Sequence, residues 1–266
     1  MPITVFERLA THEQKLTVIA LTCLCVSAWW YLSQGAGTGM NVQAMSEWQF
    51  PLPSMGKSSG NGNWSFHYSL VMVSMWWIMM IAMMLPSTSP MILLYGRFYR
   101  HHFPEASASA AVGLFTLGYL LVWLLFSLAA AGIHFILERS GIVHHMMMWI
   151  TQPHISGILL VSAGIYQLTP LKKACLRHCN SPAIFLSQHW QTGLDGALKM
   201  GCRHGLYCLG CCWFLMLLLF VGGAMNLYWI IGLSIWVLLE KSLHQSNVLL
   251  NTSAALLIAS GSWLIL

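Results

Sequence analysis

Methionine side chains recur at helical spacing in one apolar segment, and their sulfur atoms could bind a soft metal ion. Steps of three and four residues between them would place most of these sulfur atoms along one side of a helix. The methionines of the segment are Met72, Met75, Met79, Met80, Met83 and Met84. Neutral thioether sulfur suits Cu(I). Methionine also fills irregular gaps in apolar packing, so a purely structural role is the alternative.

Cysteine is concentrated in a second segment, since all but two of the eight cysteines fall between residues 175 and 212. Cys175 and Cys179 stand one helical turn apart, and Cys208, Cys211 and Cys212 place their thiols near one helix face. Thiolates at such spacing can bind Cu(I) or zinc, hold an iron–sulfur centre, or exchange disulfides. The spacing alone leaves these chemistries open. His178 and His204 are close enough in sequence to complete a ligand shell.

Histidine and methionine form a third group around residue 145. His144 and His145 are followed by three methionines, and His134 and His154 flank them in sequence. A mixture of imidazole and thioether suits copper in either oxidation state. Histidines that act as polar anchors at a membrane interface are the alternative interpretation.

Membrane-spanning helices must position these residues, because the chain has too few charges to face water. Of 266 residues, 57% are hydrophobic and 7% are charged, whereas soluble domains carry about 25% charged residues. The sequence therefore predicts an all-α polytopic transmembrane helix bundle with six or seven spans and one domain, 1–266, in contact with the lipid bilayer. The apolar windows of spanning length are 15–33, 68–86, 108–137, 146–170, 205–222, 225–240 and 248–266.

The distribution of basic residues predicts the orientation of the chain. With the N-terminus in the cytosol, ten of the twelve Lys and Arg residues lie on the inner side, as the positive-inside rule requires. Residues 33–67 are then an external loop, residues 171–204 are a cytosolic loop rich in cysteine and basic residues, and the C-terminus is external. Membrane topology thus accounts for the net charge of +5, and no nucleic-acid partner is expected.

Two local signals predict where helices end and begin. Pro86 is followed by Ser-Thr-Ser and Pro90, so we expect the methionine-rich helix to end there in a break or a re-entrant turn. Asn226 follows a glycine-containing turn and precedes an apolar run, so we expect it to cap the next helix.

Three sequence motifs resemble those of a known bacterial family: Trp76–Pro90 (WWIMMIAMMLPSTSP), Gly164–Pro182 (GIYQLTPLKKACLRHCNSP) and Gly205–Ile230 (GLYCLGCCWFLMLLLFVGGAMNLYWI), with Leu239, Glu240 and Lys241 after them. Residues 68–245 are similar to the predicted metal-binding integral membrane proteins, domain of unknown function 2182. The resemblance implies metal binding, often supposed to be copper, in a bacterial inner membrane. It draws attention to Met79, Met80, Met83, Met84, Pro86, Cys175, Cys179, Cys208, Cys211, Cys212, Met225, Asn226 and Glu240.

Copper handling is therefore the function we expect, whether transfer, loading or homeostasis. Copper would be accepted at the outer histidines and methionines and passed along the methionine stripe to the cysteines, then to a membrane or soluble protein partner. The alternatives are a subunit or maturation factor of a membrane metalloenzyme complex, and a scaffold subunit without metal. We expect no independent catalytic activity; an enzymatic role would be that of a copper-dependent membrane oxidoreductase subunit.

Overall fold

The computed structural model describes residues 5–36, 64–103, 107–145, 148–243 and 247–266, and these residues form helices joined by short turns. An isolated β-bridge between Val143 and Ile150 lies in one of the turns. The predicted all-α helical bundle is confirmed. The helices are α1 (Val5–Ser33), α2 (Phe66–His102), α3 (Ala108–Arg139), α4 (Pro153–Leu168), α5 (Pro170–Asn180), α6 (Pro182–His189), α7 (Gly193–Leu217), α8 (Leu219–Gly222), α9 (Leu227–Ser242) and α10 (Asn247–Ile265).

Five apolar stretches of helix in the described residues are long enough to cross a membrane. They are Glu13–Ser33, Phe66–His102, Ala108–Arg139, Gly193–Gly222 and Val248–Ile265. Helices α4 and α5 together form a sixth candidate, bent by 65° at Thr169. The window 225–240 corresponds to α9, whose 16 residues fall just below a spanning length. Most of the external loop expected at 33–67 lies outside the described residues, and the expected 171–204 loop contains α5 and α6.

The expectation that Pro86 ends the second span is wrong, because α2 continues through both Pro86 and Pro90 to His102. Pro90 cannot donate a hydrogen bond to the carbonyl of Pro86, four residues before it. The hydroxyl of Ser89 donates to that carbonyl instead, at 2.8 Å. Ser89, which the sequence suggested was part of a break, therefore gives the Pro86 carbonyl a hydrogen-bond donor, and the helix continues. Serine plays the same role in membrane helices that contain proline.

Two helix pairs approach each other closely through glycine. A Cβ atom added to Gly201 in α7 would lie 2.0 Å from the carbonyl oxygen of Phe115 in α3. Gly157 in α4 and Gly261 in α10 face each other in the same way, since an added Cβ on either would lie 2.7 Å from the other's carbonyl oxygen. Small residues of this kind allow helix backbones to pack without a side chain between them. The first pair fixes α7 against α3.

Ion pairs and backbone contacts connect the helices at both ends of the bundle. Arg100 near the end of α2 pairs with Glu13 of α1 at 2.8 Å. At the opposite end, the turn before α4 is tied to the end of α8 by a 2.8 Å bond from the Ile150 amide to the Phe220 carbonyl. Pro153 stands in the first turn of α4, where its missing N–H costs no helical hydrogen bond.

Candidate metal centre

Five sulfur-containing side chains converge where α2, α5 and α7 meet. We call them the sulfur cluster: Met84, Cys179, Cys208, Cys211 and Cys212. The Cys212 Sγ lies 3.9 Å from the Met84 Sδ, and the Cys211 Sγ lies 3.9 Å from the Cys179 Sγ. Two sulfur atoms at this separation could hold one metal ion between them at metal–sulfur distances of roughly 2.3 Å.

Cys208 lies at the centre of the sulfur cluster. Its side chain is close enough to those of Cys179, Cys211 and Cys212 to interact with all three. The thiols of Cys211 and Cys212 donate to the Cys208 carbonyl, at 3.0 and 2.8 Å. These bonds follow from the i, i+3 and i, i+4 spacing on α7 and turn the thiols back along one helix face. All eight cysteines are free thiols.

Polar side chains from two further helices reach the sulfur of Cys208. Lys241 of α9 donates to the Cys208 Sγ at 3.0 Å and to the Ser87 hydroxyl of α2 at 2.9 Å. The phenol oxygen of Tyr119 in α3 lies 3.1 Å from the same sulfur and accepts a 2.9 Å bond from Thr88. One thiol is therefore in direct contact with an ammonium group and a phenol group.

The sulfur cluster is almost completely shielded from solvent. Met84 and Cys208 have no exposed surface, and Cys211 and Cys212 are 2% and 1% exposed. Cys179 is partly buried and is the most exposed member of the cluster. A metal bound here would be held in an environment of low polarity.

The other cysteines that sequence reasoning considered lie around the sulfur cluster or away from it. Cys175 packs against Gly210 of α7, where a Cβ atom would lie 2.8 Å from its sulfur. Because Gly210 directly precedes Cys211, Cys175 stands at the edge of the cluster. Cys202 instead packs against Gly118 on the α3 side of α7.

The two histidines near these cysteines differ in placement. The ring of His178 stacks on Tyr207 at a centroid distance of 4.4 Å, and its Nδ1 lies 3.0 Å from the Ala174 carbonyl. His204 is buried, one helical turn before Cys208, with its ring 5.9 Å from that of Tyr119. Its Nδ1 atom has no hydrogen-bond partner.

The remaining methionines proposed as ligands are buried on α2 or lie at the other end of the bundle. Met79 and Met80 have no exposed surface, and Met83 is 2% exposed. Met225 is buried in the turn between α8 and α9. From Cys208 to that turn the chain rises through more than fourteen residues of helix, or roughly 20 Å. The structure therefore does not bring Met225 to the sulfur cluster.

Glu240 precedes Lys241 in sequence, but protein donors already occupy its carboxylate. One oxygen accepts a 2.7 Å bond from Lys172, and the other accepts 2.9 Å bonds from Gln167 and Trp236. Both Lys172 and Glu240 are buried. The arrangement is an ion pair that joins α5 to α9 beside the cluster.

The outer histidine group is only partly assembled. His145 places its Nδ1 2.5 Å from a carboxylate oxygen of Glu138, while His144 takes part in the turn through backbone bonds to Trp149 and Met148. Met146 and Met147 lie outside the described residues. In the parts of the chain that the structure describes, no three side chains of His, Cys, Asp or Glu are already gathered around one point as a metal would require.

Sequence reasoning missed the polar surroundings of Cys208. Tyr119 was not considered, although a phenol within an otherwise apolar span must find a polar partner. Lys241 was noted only as a neighbour of Glu240 and as a cytosolic charge. Ser87 and Thr88 were interpreted as part of a break in the helix. Nothing in the spacing along the chain indicates that residues so far apart meet at one sulfur.

Comparison with known proteins decides the family. A family model described as "PpoB2: Copper chaperone" matches residues 73–264. The chain belongs to this family of copper chaperones. The match supports the copper-related family expected from the three motifs, although it does not carry the name of domain of unknown function 2182. No curated protein and no solved structure matches the chain. The PpoB2 match includes α2 from Val73 onward and all five residues of the sulfur cluster.

Proposed function

We propose that this member of the copper chaperone family binds Cu(I) at the sulfur cluster within a membrane and passes it to a protein partner. The observation that carries the proposal is the convergence of four thiols and one thioether from three helices in a buried place. Soft sulfur donors select Cu(I) over metals that prefer oxygen ligands. Copper is the cargo of such a protein, so we expect no reaction to be catalysed by it here.

The contact between Lys241 and Cys208 supports this assignment. Two thiolates that bind one Cu(I) ion carry a net charge of −1, which is costly in an interior of low polarity unless it is paired. The ammonium group of Lys241, 3.0 Å from the sulfur, would supply the matching positive charge. The bound site would then be neutral overall.

The surface of the bundle supports a membrane location. Large apolar side chains project outward from long helices; for example, Leu125 and Ile136 of α3 are 67% and 62% exposed. Exposed apolar residues in such numbers are expected against lipid rather than water. We infer a multi-pass protein of the bacterial inner membrane with a cytosolic N-terminus, as the positive-inside rule favours. If α9 returns the chain across the membrane as a seventh span, the C-terminus is external.

In this orientation the sulfur cluster lies about halfway along α2, on the cytosolic side of the methionine stripe and beside α5. The buried stripe of Met79, Met80 and Met83 occupies the part of α2 between the outer end and Met84. Neutral thioethers bind Cu(I) more weakly than thiolates, so we infer that copper moves along α2 toward the cysteines. The partner that takes it up would be a membrane or soluble protein reaching Cys179.

The deciding experiment compares the full chain with the Cys208→Ser, Cys211→Ser double variant. Each protein is purified in detergent, incubated anaerobically with Cu(I), freed of excess metal and analysed for copper, zinc and iron by plasma mass spectrometry. We expect about one copper per chain in the wild type and a large loss in the double variant. The matched control is Cys23→Ser, Cys25→Ser in α1, which should keep its copper.

Three results would overturn the proposal. Equal copper in the double variant and the wild type would show that these thiols do not hold the metal. Zinc or iron in the purified wild type in place of copper would identify a different cargo. A copper-free wild type that copurifies with a stoichiometric partner would favour the scaffold alternative.

A further inference from the structure

A second group of metal-binding side chains lies at the end of α3 opposite to the sulfur cluster. His134 and Glu138 are one turn apart on α3, and His145 follows in the turn after the helix. From Tyr119, which touches the sulfur cluster, His134 is fifteen residues along the same helix, or roughly 22 Å. The two groups therefore cannot share one ion.

His134 has no hydrogen-bond partner in the structure. Its side chain has no exposed surface, and neither ring nitrogen is within hydrogen-bonding distance of a donor or acceptor. A buried polar group left without a partner destabilises the folded state. A metal ion coordinated by the imidazole would give one of its ring nitrogens a partner.

The distances leave room for an ion between His134 and Glu138. The His134 Nε2 lies 3.9 Å from the Glu138 Oε2, which is about twice a metal–ligand bond of roughly 2.0 Å. The other carboxylate oxygen of Glu138 contacts His145 at 2.5 Å. His145 could keep this contact and orient the carboxylate, or turn its ring onto the ion as a third ligand.

The surroundings provide both access and shielding. The side chain of His145 is 47% exposed, so an ion can approach from that side. The rings of Trp64, Trp76 and Phe220 pack edge-on around His134 on the other sides, at centroid distances of 5.4, 6.4 and 5.8 Å. Trp64 also donates to Glu138 at 3.1 Å. His134 is therefore enclosed by aromatic rings, and His145 is the exposed member of the group.

We propose that His134, Glu138 and His145 form a second metal site that takes Cu(II). Imidazole and carboxylate are harder donors than thiolate, and among divalent first-row metals Cu(II) binds such donors most tightly. The family's copper handling guides the choice of metal, but the site does not depend on the sulfur cluster. The chain would thus bind the two oxidation states of copper at two chemically different places.

The test uses the full chain purified with a tag that contains no histidine. The protein is first loaded with Cu(I) under anaerobic conditions, so that free thiols do not reduce the second metal. One equivalent of Cu(II) is then added, and electron paramagnetic resonance is recorded across a titration. We expect a Cu(II) signal split by one or two nitrogen nuclei, with one ion bound per chain.

The variants are His145→Gln and Glu138→Gln, with His154→Gln as the control. His145 is half-exposed and its replacement does not disturb the core, whereas His154 is an exposed histidine in the first turn of α4 outside the group. Each of the first two should weaken Cu(II) binding about tenfold or more, which corresponds to about 1.4 kcal/mol. The control should match the wild type in spectrum and affinity.

The proposal fails if the wild type shows no nitrogen-coordinated Cu(II), or if His145→Gln and Glu138→Gln leave both spectrum and affinity unchanged. In that case the contact between His145 and Glu138 only stabilises the turn after α3. If instead the proposal for the sulfur cluster is wrong, the result differs. The Cys208→Ser, Cys211→Ser double variant would then bind as much Cu(I) as the wild type, whereas Cu(II) binding would still require His145.

Discussion

The ammonium nitrogen of Lys241 lies 3.0 Å from the sulfur of Cys208, inside the bundle and between α7 and α9. The two residues are 33 positions apart in sequence. A second bond, to the Ser87 hydroxyl at 2.9 Å, fixes the direction of the lysine side chain. The ammonium group of Lys241 therefore contacts the sulfur cluster directly. Lys172 differs, because its ammonium group is paired with the carboxylate of Glu240.

Replacing Lys241 with methionine should weaken Cu(I) binding. The bound ion and two thiolates would keep a negative charge in a buried place with no counter-charge. We expect affinity to fall about tenfold or more, or at least about 1.4 kcal/mol, in competition with a chromophoric Cu(I) chelator. The control, Lys173→Met, changes an exposed lysine of α5 that does not contact the sulfur cluster, and it should have no effect. If the two variants bind Cu(I) with equal affinity, Lys241 does not contribute to copper binding.

Replacing Met84 with leucine should lower Cu(I) affinity severalfold with little change in stability. The substitution keeps volume and apolarity, so it costs less than about 1.5 kcal/mol in folding, but it removes the sulfur 3.9 Å from Cys212. The control is Met91→Leu, a methionine equally buried on α2 beyond Pro90. If both variants bind copper as the wild type does, Met84 contributes only to packing and its thioether is not a copper ligand. The measurement is the same chelator competition, with thermal unfolding in parallel.

Replacing Glu240 with glutamine should destabilise the fold without removing copper from the folded protein. Lys172 would be left buried without its anionic partner, and breaking such a pair costs about 3–5 kcal/mol. Thermal unfolding in detergent, followed by circular dichroism, measures the loss. Adding Lys172→Met to the variant should recover part of it. Loss of copper from protein that is still folded would instead make Glu240 a ligand.

Replacing Gly201 with alanine should separate α3 from α7. The new Cβ would lie 2.0 Å from the Phe115 carbonyl oxygen, and neither backbone can yield without moving its helix. We expect a lower unfolding temperature and a lower copper content, since Tyr119 and Cys208 face each other across this pair. Gly113→Ala in α3 meets nothing within 4 Å and should be neutral or slightly stabilising. If Gly201→Ala changes neither the unfolding temperature nor the copper content, the close approach of α3 and α7 is not required for stability or copper binding.

The sequence predicted the helical architecture well because apolar composition and span length depend on local information. Asn226 illustrates a correct local prediction: its side-chain oxygen accepts bonds from the amides of Tyr228 and Trp229 and caps α9. Pro86 illustrates a wrong one. Its effect depended on which side chains could satisfy the freed carbonyls, and Ser89 does so for the carbonyl released by Pro90.

The sequence could indicate the donor atoms of the sulfur cluster but not their arrangement. The spacing of Cys208, Cys211 and Cys212 correctly placed three thiols on one face of a helix. Which other helix meets that face is decided by packing between distant segments, so neither the approach of Cys179 nor that of Lys241 could be read from spacing. The same holds for the ion pair between Glu240 and Lys172, which joins residues 68 positions apart in sequence.

The unbroken course of α2 has a consequence for the depth of the sulfur cluster in a bilayer. Its 37 residues extend roughly 55 Å, whereas the hydrocarbon core is roughly 30 Å thick. Met84 comes eighteen residues after Phe66, or roughly 27 Å along the axis. If α2 enters the hydrocarbon near Phe66, it reaches the opposite headgroups near Met84. A copper ion bound at the sulfur cluster would then lie at the boundary between lipid and water.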